Sequence, residues 1–323
     1  MKMEKVKIGF VGAGGLANSQ HYPSLYEMQD VEIVGLSDLV QERMDKTAER
    51  FNIQNKFTDY KQMIEKTSPQ AVYVVMPPYQ LFDIAVYCIN LGLHIFIEKP
   101  PGITSQQTRQ MANLAEKKGV LTMTGFQRRF SPVLVEAKKM VDERGGVVQC
   151  QANFFKHSPT VGSYYDGAID ILTCDAIHAV DILRWMAGDV KKVVSAVSNL
   201  FCDSPNRFCA LMEFESGAIG YLSTNWITGR RFYSVEMHGK GILAFADPEE
   251  NARIYKDGNK EAEIITAERF TGEKDPDSYK NTGFFHENKH FIECIKTNAQ
   301  PQTNFADAYK TMELVDRIYH SVI

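Results

Sequence analysis

The chain has 323 residues, of which 44% are hydrophobic and 24% charged, and its formal net charge is -4. This balance is typical of a globular protein, and the lack of a basic excess argues against binding to nucleic acid. Because single cores stop growing near roughly 250–300 residues, we expect two domains. The six cysteines include no Cys-x-x-Cys pair, so we expect neither a metal site nor a disulfide framework.

The first residues, Met1 to Lys5, are charged and short, and the first predicted strand begins directly afterwards at Val6. We therefore expect no signal peptide. No uninterrupted apolar stretch is long enough to cross a bilayer, so no membrane partner is expected. Unpaired cysteines are typical of a reducing compartment, and these features together predict a cytoplasmic protein.

The first strand, predicted over Val6–Val11, leads through a glycine-rich turn into a helix predicted over Leu16–Met28. The pattern Gly12-x-Gly14-x-x-Ala17 is typical of a dinucleotide-binding turn. The first glycine permits the sharp turn, the second lets a pyrophosphate approach the backbone, and the small alanine lets the helix pack on its strand. The helix N-terminus then favours phosphate binding. The turn residues predicted to bind a cofactor are Gly12, Gly14, Gly15, Leu16 and Ala17.

A second apolar run, Glu32–Ser37, ends at Asp38, about twenty residues beyond the glycine turn. A carboxylate at this position can accept hydrogen bonds from both hydroxyls of an adenosine ribose and would repel a 2′-phosphate. It therefore favours NAD over NADP. Asp38 also precedes a helix predicted over Gln41–Asn52, so a helix cap is the alternative role. Arg43 could lie over the adenine, or accept a phosphate if Asp38 turned away.

Strands and helices continue to alternate as far as residue 124, with strands predicted over 71–76, 94–97 and 120–124 and helices over 80–91 and 106–118. This alternation predicts a doubly wound parallel (Rossmann) sheet. Ligands of such sheets bind beyond the carboxyl ends of the strands. The strand-end residues predicted to contact the cofactor are Met76, Pro77, Glu98 and Lys99.

The pattern changes after residue 125. A helix is predicted over 131–143, a strand over 147–156 and further helical periodicity over 168–187. Apolar runs joined by turns between 190 and 266 predict a large, mostly antiparallel sheet, and helices over 284–296 and 307–319 close the chain. We predict a dinucleotide-binding domain over residues 1–125 and an α+β domain for substrate binding and oligomerisation over residues 126–323.

Lys99 directly follows a predicted strand, between Glu98 and Pro100, at the edge of the sheet where ligands bind. A cation beside a nicotinamide can hold a substrate hydroxyl and stabilise the alkoxide as hydride leaves. The alternative is an ordinary Glu-Lys pair on a turn, which contributes little to stability. We predict that Lys99 is catalytic and contacts both cofactor and substrate.

Several segments together resemble the Gfo/Idh/MocA family of oxidoreductases, named for glucose-fructose oxidoreductase and inositol dehydrogenase, over nearly the whole chain. The segments are the glycine turn, residues 92–100 ending in Glu-Lys-Pro, residues 125–132, residues 178–185, residues 290–293, and Pro301, Asp307 and Ala308. The resemblance implies NAD(P)-dependent oxidation of a secondary alcohol, usually on a sugar or polyol, or the reverse reduction. It also implies that Lys99 lies beside nicotinamide and substrate and that His178 accepts the proton, a task that suits a neutral imidazole.

The chain departs from the family pattern at several positions near these residues. Cys174 stands where the family often has an Asp, and the nearest acid is Asp175. Asp175 could share a helix face with His178 and orient it, contact the substrate, or cap the helix. Pro78 replaces an Asn that often touches the cofactor. The residues predicted to bind substrate are Lys99, Gln127, Arg129, Lys156, Tyr165, Asp175 and His178.

The leading hypothesis is an NAD(P)-dependent dehydrogenase or reductase that acts on the CH–OH group of a sugar, polyol or related small molecule. One alternative is a sugar lyase, epimerase or glycosidase that uses NAD without net redox change. Another is a non-catalytic protein that binds NAD(H) or a sugar.

Tyr164-Tyr165 could be a packing corner. The aromatic residues around Trp226 are expected in the antiparallel sheet, through which we expect a homodimer or homotetramer.

Overall fold

The computed structural model describes residues 5–158 and 162–323, so most of the charged N-terminal segment discussed above lies outside the described residues. The chain divides into two compact units. Unit 1 comprises Met1–Phe126 and Phe284–Tyr309, and unit 2 comprises Gln127–Gly283 and Lys310–Ile323. The predicted division assigned everything after residue 125 to the second domain. The structure differs because the segment from Phe284 to Tyr309 packs its apolar side chains into unit 1.

Unit 1 contains a six-stranded sheet in which all strands are parallel. Its strands are β1 (Val6–Val11), β2 (Val31–Ser37), β3 (Lys56–Phe57), β4 (Ala71–Val74), β5 (His94–Glu98) and β6 (Thr122–Gly125). Their order across the sheet is β3-β2-β1-β4-β5-β6. The order reverses between β1 and β4, the point at which doubly wound sheets bind their ligands. The predicted Rossmann sheet is confirmed.

Helices connect and cover these strands. They are α1 (Tyr22–Glu27), α2 (Gln41–Arg50), α3 (Tyr60–Thr67), α4 (Pro78–Asn90), α5 (Ser105–Lys118), α9 (Phe284–Thr297) and the start of α10 (Phe305–His320), whose residues from Lys310 onwards belong to unit 2. Sequence analysis did not predict α3, although Asp59 caps it by accepting a hydrogen bond from the Lys61 N–H at 2.8 Å. The helix predicted from Leu16 onwards instead begins as a π-helical turn, Ala17–His21, which continues into α1.

Aromatic rings form much of the core on one face of the unit 1 sheet. Phe10 on β1 stacks on Tyr22 of α1, with ring centroids 4.0 Å apart, and lies 5.7 Å from Tyr73 on β4. Tyr73 in turn stacks on Phe96 of β5 at 4.6 Å. Helix α9 adds Phe291, whose ring lies 5.8 Å from that of Tyr73. Because both faces of these strands are covered, they read as continuous apolar runs in the sequence.

Unit 2 contains an eight-stranded sheet in the order β10-β11-β12-β7-β13-β14-β15-β16 and a two-stranded sheet, β8-β9. The strands are β7 (Gln149–His157), β8 (Ser163–Tyr164), β9 (Ile169–Asp170), β10 (Val190–Ser198), β11 (Arg207–Phe214), β12 (Ile219–Asn225), β13 (Ile227–Gly239), β14 (Ile242–Ala246), β15 (Asn251–Lys256) and β16 (Glu263–Thr266). In the large sheet, every pair is antiparallel except β12 with β7, which is parallel. The predicted mostly antiparallel sheet is confirmed.

The helices of unit 2 are α6 (Pro132–Asp142), α7 (Ile177–Ala187) and the short α8 (Glu268–Thr271). Helices α6 and α7 pack on one face of the large sheet. Alternate residues of β11, such as Phe208 and Met212, are buried on that side, whereas Leu211 points to the other face and is exposed. Among the described residues, no helix combines the length and apolar character needed to span a membrane.

A buried ion pair ties three parts of unit 2 together. Arg129 lies in a 3₁₀ turn, Gln127–Phe130, and donates from Nε and Nη2 to the two carboxylate oxygens of Asp181 on α7 at 2.7 and 2.5 Å. The side chains are 5% and 1% exposed. Thr311 on α10 also donates to Asp181, at 2.9 Å. Removing one partner of such a pair leaves a buried charge without compensation.

We therefore expect Asp181→Asn to lower the free energy of unfolding by about 3–5 kcal/mol, measured by urea denaturation. The control is Asp257→Asn, which weakens an exposed pair with Arg144 in the same unit and should lower the free energy of unfolding far less, because solvent screens exposed pairs. Equal losses in the two variants would contradict this account of the buried pair.

Candidate active site

The glycine turn after β1 leaves no room for a larger residue at its first position. Gly12 has φ +108°, and a Cβ atom built there would lie 2.3 Å from the Val75 carbonyl oxygen. By contrast, a Cβ at Gly14 or Gly15 would meet no heavy atom within 4 Å, so the backbone at these positions is open to close approach. Ala17 is fully buried, as expected for a residue that lets the helix pack on its strand.

Asp38, the buried residue after β2, contacts this turn directly. One carboxylate oxygen accepts from the Ala13 N–H at 2.7 Å and the other from the Val40 N–H at 2.8 Å. The second bond forms a turn that leads into α2, so the cap-like role and the position beside the glycine turn occur together. Each carboxylate oxygen retains capacity for a further hydrogen bond. The open backbone and the nearby carboxylate fit the pyrophosphate and ribose of a dinucleotide.

Tyr22 supports the turn from below and was not identified from the sequence. Its hydroxyl donates to the Gly12 carbonyl at 3.1 Å. Burial, followed by the charge of Asp38, raises the pKa of Tyr22 well above its usual value, so the hydroxyl keeps its proton and remains a donor. From the sequence, the only indication that Tyr22 contacts the turn was its position in the helix that follows it.

The remaining residues predicted to bind the cofactor in this part of unit 1 are Met76, Pro77, Leu16 and Arg43. Met76, which follows β4, lies beside the glycine turn, because a Cβ on Gly12 would come within 3.2 Å of the methionine sulfur. Pro77 immediately precedes α4. Leu16 is 42% exposed, and Arg43 is exposed in the first turn of α2.

Glu98 and Lys99 form the corner at the end of β5. Lys99 is half-buried and joined to Pro100 by a cis peptide bond. The Glu98 side chain is buried: Oε1 accepts from His21 Nε2 at 2.9 Å, and Oε2 accepts from the Lys99 backbone N–H at 3.0 Å. The carboxylate that the sequence analysis assigned to cofactor binding is thus hydrogen-bonded in the interior of unit 1.

The buried residues of α9 near this corner were not identified from the sequence. Helix α9 buries Phe284, Glu287, Asn288 and Phe291, which recur at the spacing of one helix face. Two polar residues on an otherwise apolar face were the available signal for a buried polar site.

In unit 2, the structure brings together Lys156 and Asp175, two of the residues predicted to bind substrate. The Lys156 ammonium contacts the Asp175 carboxylate, which also accepts from the Tyr164 hydroxyl at 3.0 Å. Trp226 Nε1 donates to the same hydroxyl at 2.8 Å. Burial, followed by the Asp175 charge, raises the pKa of Tyr164, so the hydroxyl remains a donor. Tyr164 thus has a polar role, whereas Tyr165 is 47% exposed.

His178 is the second residue of α7 and is buried. A π-helical turn, Leu172–Ala176, precedes this helix and contains Asp175 and the buried Cys174. The prediction that Asp175 and His178 share a face assumed a regular α-helix, and the wider π turn changes their angular offset. Such turns often occur at functional sites. Tyr233 donates its hydroxyl to the His178 carbonyl at 3.3 Å and anchors the helix start.

Gln127 and Arg129 are both buried in the 3₁₀ turn of unit 2. The Arg129 guanidinium, predicted to bind substrate, is engaged in the internal ion pair with Asp181. Nothing in the sequence indicated this ion pair, because Arg129 and Asp181 are far apart in the chain.

Two family models match the chain. The model described as oxidoreductase family, NAD-binding Rossmann fold, matches residues 6–126, and the model of the GFO/IDH/MocA C-terminal domain matches residues 134–242.

Curated proteins and solved structures resemble the chain over nearly its full length. D-xylose 1-dehydrogenase (NADP(+)) 2 from Haloferax volcanii is 25% identical, over 97% of this chain and 96% of the relative. The scyllo-inositol 2-dehydrogenase (NAD(+)) from Bacillus subtilis is 24% identical, over 96% and 92%. A structure of levoglucosan dehydrogenase with NADH and levoglucosan has a TM-score of 0.85 at 18% identity, covers 98% of this chain and 97% of its own, and supports the fold. Since the two family models together match well over half of its residues, the chain belongs to the Gfo/Idh/MocA family of NAD(P)-binding oxidoreductases.

Proposed function

We propose that this protein is an NAD-dependent dehydrogenase or reductase acting on a CH–OH group of a sugar, polyol or related small molecule. The observation that carries the proposal is the position of Lys99. It directly follows β5, at the carboxyl edge of a Rossmann sheet, where ligands of such sheets bind. A hydrogen-bonded carboxylate holds its backbone in place.

The residues of unit 1 would hold the dinucleotide. The backbone at Gly14 and Gly15 would bind the pyrophosphate, and Asp38 would accept hydrogen bonds from the adenosine ribose. When bound, the nicotinamide supplies or accepts the hydride. The relatives named above are described with either cofactor, so the preference for NAD rests on the negative charge of Asp38.

Two residues of this chain carry the proposed proton chemistry. Lys99 Nζ donates a hydrogen bond to the substrate oxygen and stabilises the negative charge that develops when the hydroxyl proton leaves. The His178 imidazole accepts that proton. In reduction, the same groups act in reverse.

The polar network of unit 2 supports a substrate rich in hydroxyl groups. Lys156 and Asp175 offer a charged donor and a charged acceptor within one network, and charge-assisted hydrogen bonds are the stronger kind. We assign Asp175 to substrate contact or to the orientation of His178. Gln127 and Tyr165 remain proposed substrate contacts.

We expect Lys99→Met to lower kcat by at least about 100-fold, because the developing oxyanion loses its cationic partner. The dissociation constant for NADH should stay within about twofold, since the other cofactor residues are intact. The assay follows NADH absorbance over a panel of sugars and polyols, with mass spectrometry of the products to detect reactions without net redox change. Lys117→Met, an exposed lysine on α5, is the control. Equal turnover by the two variants would remove Lys99 from the mechanism.

We expect the wild-type protein to bind NADH at least about tenfold more tightly than NADPH, because the Asp38 carboxylate repels a 2′-phosphate. Asp38→Asn should weaken NADH binding and reduce the ratio of the dissociation constants for NADPH and NADH. The control is Asp45→Asn, which changes an acid on α2 that pairs with Lys56 and should leave that ratio unchanged. Fluorescence titration measures the dissociation constants of NADH and NADPH for each protein. Tighter binding of NADPH by the wild type would overturn this assignment of Asp38.

We further propose that the exposed face of the large sheet joins copies of the chain. Val194 on β10 lies opposite Leu211 on β11, which lies opposite Tyr221 on β12. These side chains are 45%, 47% and 39% exposed and form an apolar row across three strands. Such rows are typical of association surfaces, and a two-fold dimer is the commonest form.

We expect Leu211→Lys to shift the protein towards monomer, because burying a charge in the apolar row is unfavourable. Analytical ultracentrifugation measures the shift, with Val135→Lys, an exposed apolar residue on α6, as the control. The same mass for wild type and Leu211→Lys would count against this surface.

A further inference from the structure

Beneath the corner formed by Glu98 and Lys99, unit 1 encloses three ionisable side chains, here called the His21 cluster: His21, Glu98 and Glu287. They come from the π-helical turn after β1, from the end of β5 and from α9, and they are 0%, 5% and 0% exposed. One nitrogen or oxygen atom from each lies within 4.8 Å of the others. Of these side chains, the mechanism proposed above uses only the Glu98 carboxylate, through its bond to the Lys99 backbone N–H.

Glu98 is the acceptor at the centre of the His21 cluster. Its two oxygens accept from His21 Nε2 and from the Lys99 backbone N–H, at 2.9 and 3.0 Å. On the far side of the imidazole, Asn288 contacts Nδ1 and donates to the Phe284 carbonyl at 2.7 Å. Helix α9 therefore orients His21, His21 orients Glu98, and Glu98 holds the residue that carries the proposed catalytic ammonium.

Glu287 faces this arrangement without a donor. Neither of its carboxyl oxygens has a hydrogen-bond partner among the described residues. Burial, followed by the charge of Glu98, raises the pKa of Glu287 well above its usual value. An ionised Glu287 would be a second buried negative charge with no compensating donor, which is strongly unfavourable.

We propose that the His21 cluster positions Lys99, with His21 and Glu98 holding its backbone and Glu287 kept as a neutral carboxylic acid beside them. His21 and Glu98 are thus positioning residues, acting through the Lys99 backbone. The kinetic part rests on the proposed function of Lys99, whereas the protonation of Glu287 does not.

A metal ion is the competing explanation, because histidine and carboxylates are common metal ligands. Structural zinc sites almost always have four ligands, and the described residues supply a group of three here. The His21–Glu98 hydrogen bond at 2.9 Å, together with a neutral Glu287, accounts for the arrangement without a metal ion.

The protonation of Glu287 determines the direction in which the stability of the protein changes with pH, and this direction can be measured. In the unfolded chain a glutamate loses its proton near pH 4.3, whereas buried Glu287 retains it to higher pH. Between its pKa in the unfolded chain and its raised pKa in the folded protein, Glu287 carries a proton only in the folded state, so stability falls as pH rises through that window. The ionisable groups that face Glu287 are His21, Glu98 and Tyr73 on β4, and α9 itself carries His286, Lys289 and His290. Comparison with Glu287→Gln cancels their contributions.

The first experiment measures unfolding by urea from pH 5.5 to 7.5 in the wild type and in Glu287→Gln. Over this range, the folding equilibrium constant of the wild type should fall by up to about tenfold per pH unit relative to the variant. Parallel pH profiles would overturn the proposed protonation. So would a stoichiometric metal ion, found by mass spectrometry in the wild type and lost in Glu287→Gln. No substrate is needed, so this test is independent of the proposed function.

The second experiment compares His21→Leu, which removes the donor to Glu98, with His21→Gln, which can restore one. We expect His21→Leu to lower kcat by about tenfold or more, with NADH affinity within about twofold, and His21→Gln to recover part of the loss. Thr108→Val, a buried polar residue on α5, controls for a general lesion in unit 1. Equal kcat for His21→Leu and Thr108→Val, or no recovery with glutamine, would overturn the positioning role.

Discussion

The close approach of Gly12 to the Val75 carbonyl is the constraint on which the candidate cofactor site depends. A Cβ atom at Gly12 would lie 2.3 Å from that oxygen, so only glycine allows β1 to turn at this point. The turn then places the Ala13 N–H on the Asp38 carboxylate, at 2.7 Å. The parallel strands β1, β2 and β4 end at one edge of the sheet, and this turn contacts the residues that follow the other two.

Much of this fold could be predicted from the sequence because its signals are local. Apolar strands such as Val6–Val11 and helices such as α5 follow from periodicity and capping, and the glycine turn follows from spacing. The parallel pair β12-β7 was not predicted, because pairing between distant strands leaves no local signal. The return of α9 to unit 1 was missed for the same reason.

The candidate site shows the same division between local and distant information. Asp38 and Lys99 could be proposed from the sequence because strand ends mark ligand positions in doubly wound sheets. The hydrogen-bond and ion-pair partners of the predicted site residues could not be identified from the sequence. Arg129 is engaged by Asp181, and Glu98 by His21, each through a contact between residues far apart in sequence. Both charged groups are buried against these partners, and only the structure shows that each already takes part in an internal contact.

The central claim is that this chain transfers hydride between a nicotinamide and a carbon that bears oxygen. The most direct test incubates the protein with NADH carrying deuterium at its transferable position and a panel of keto sugars and oxidised polyols. Mass spectrometry then follows the label. The account predicts deuterium on the carbon of a newly formed hydroxyl, with labelling at least about 100-fold slower for Lys99→Met. Absence of label from every product, with NADH bound and unchanged, would contradict it.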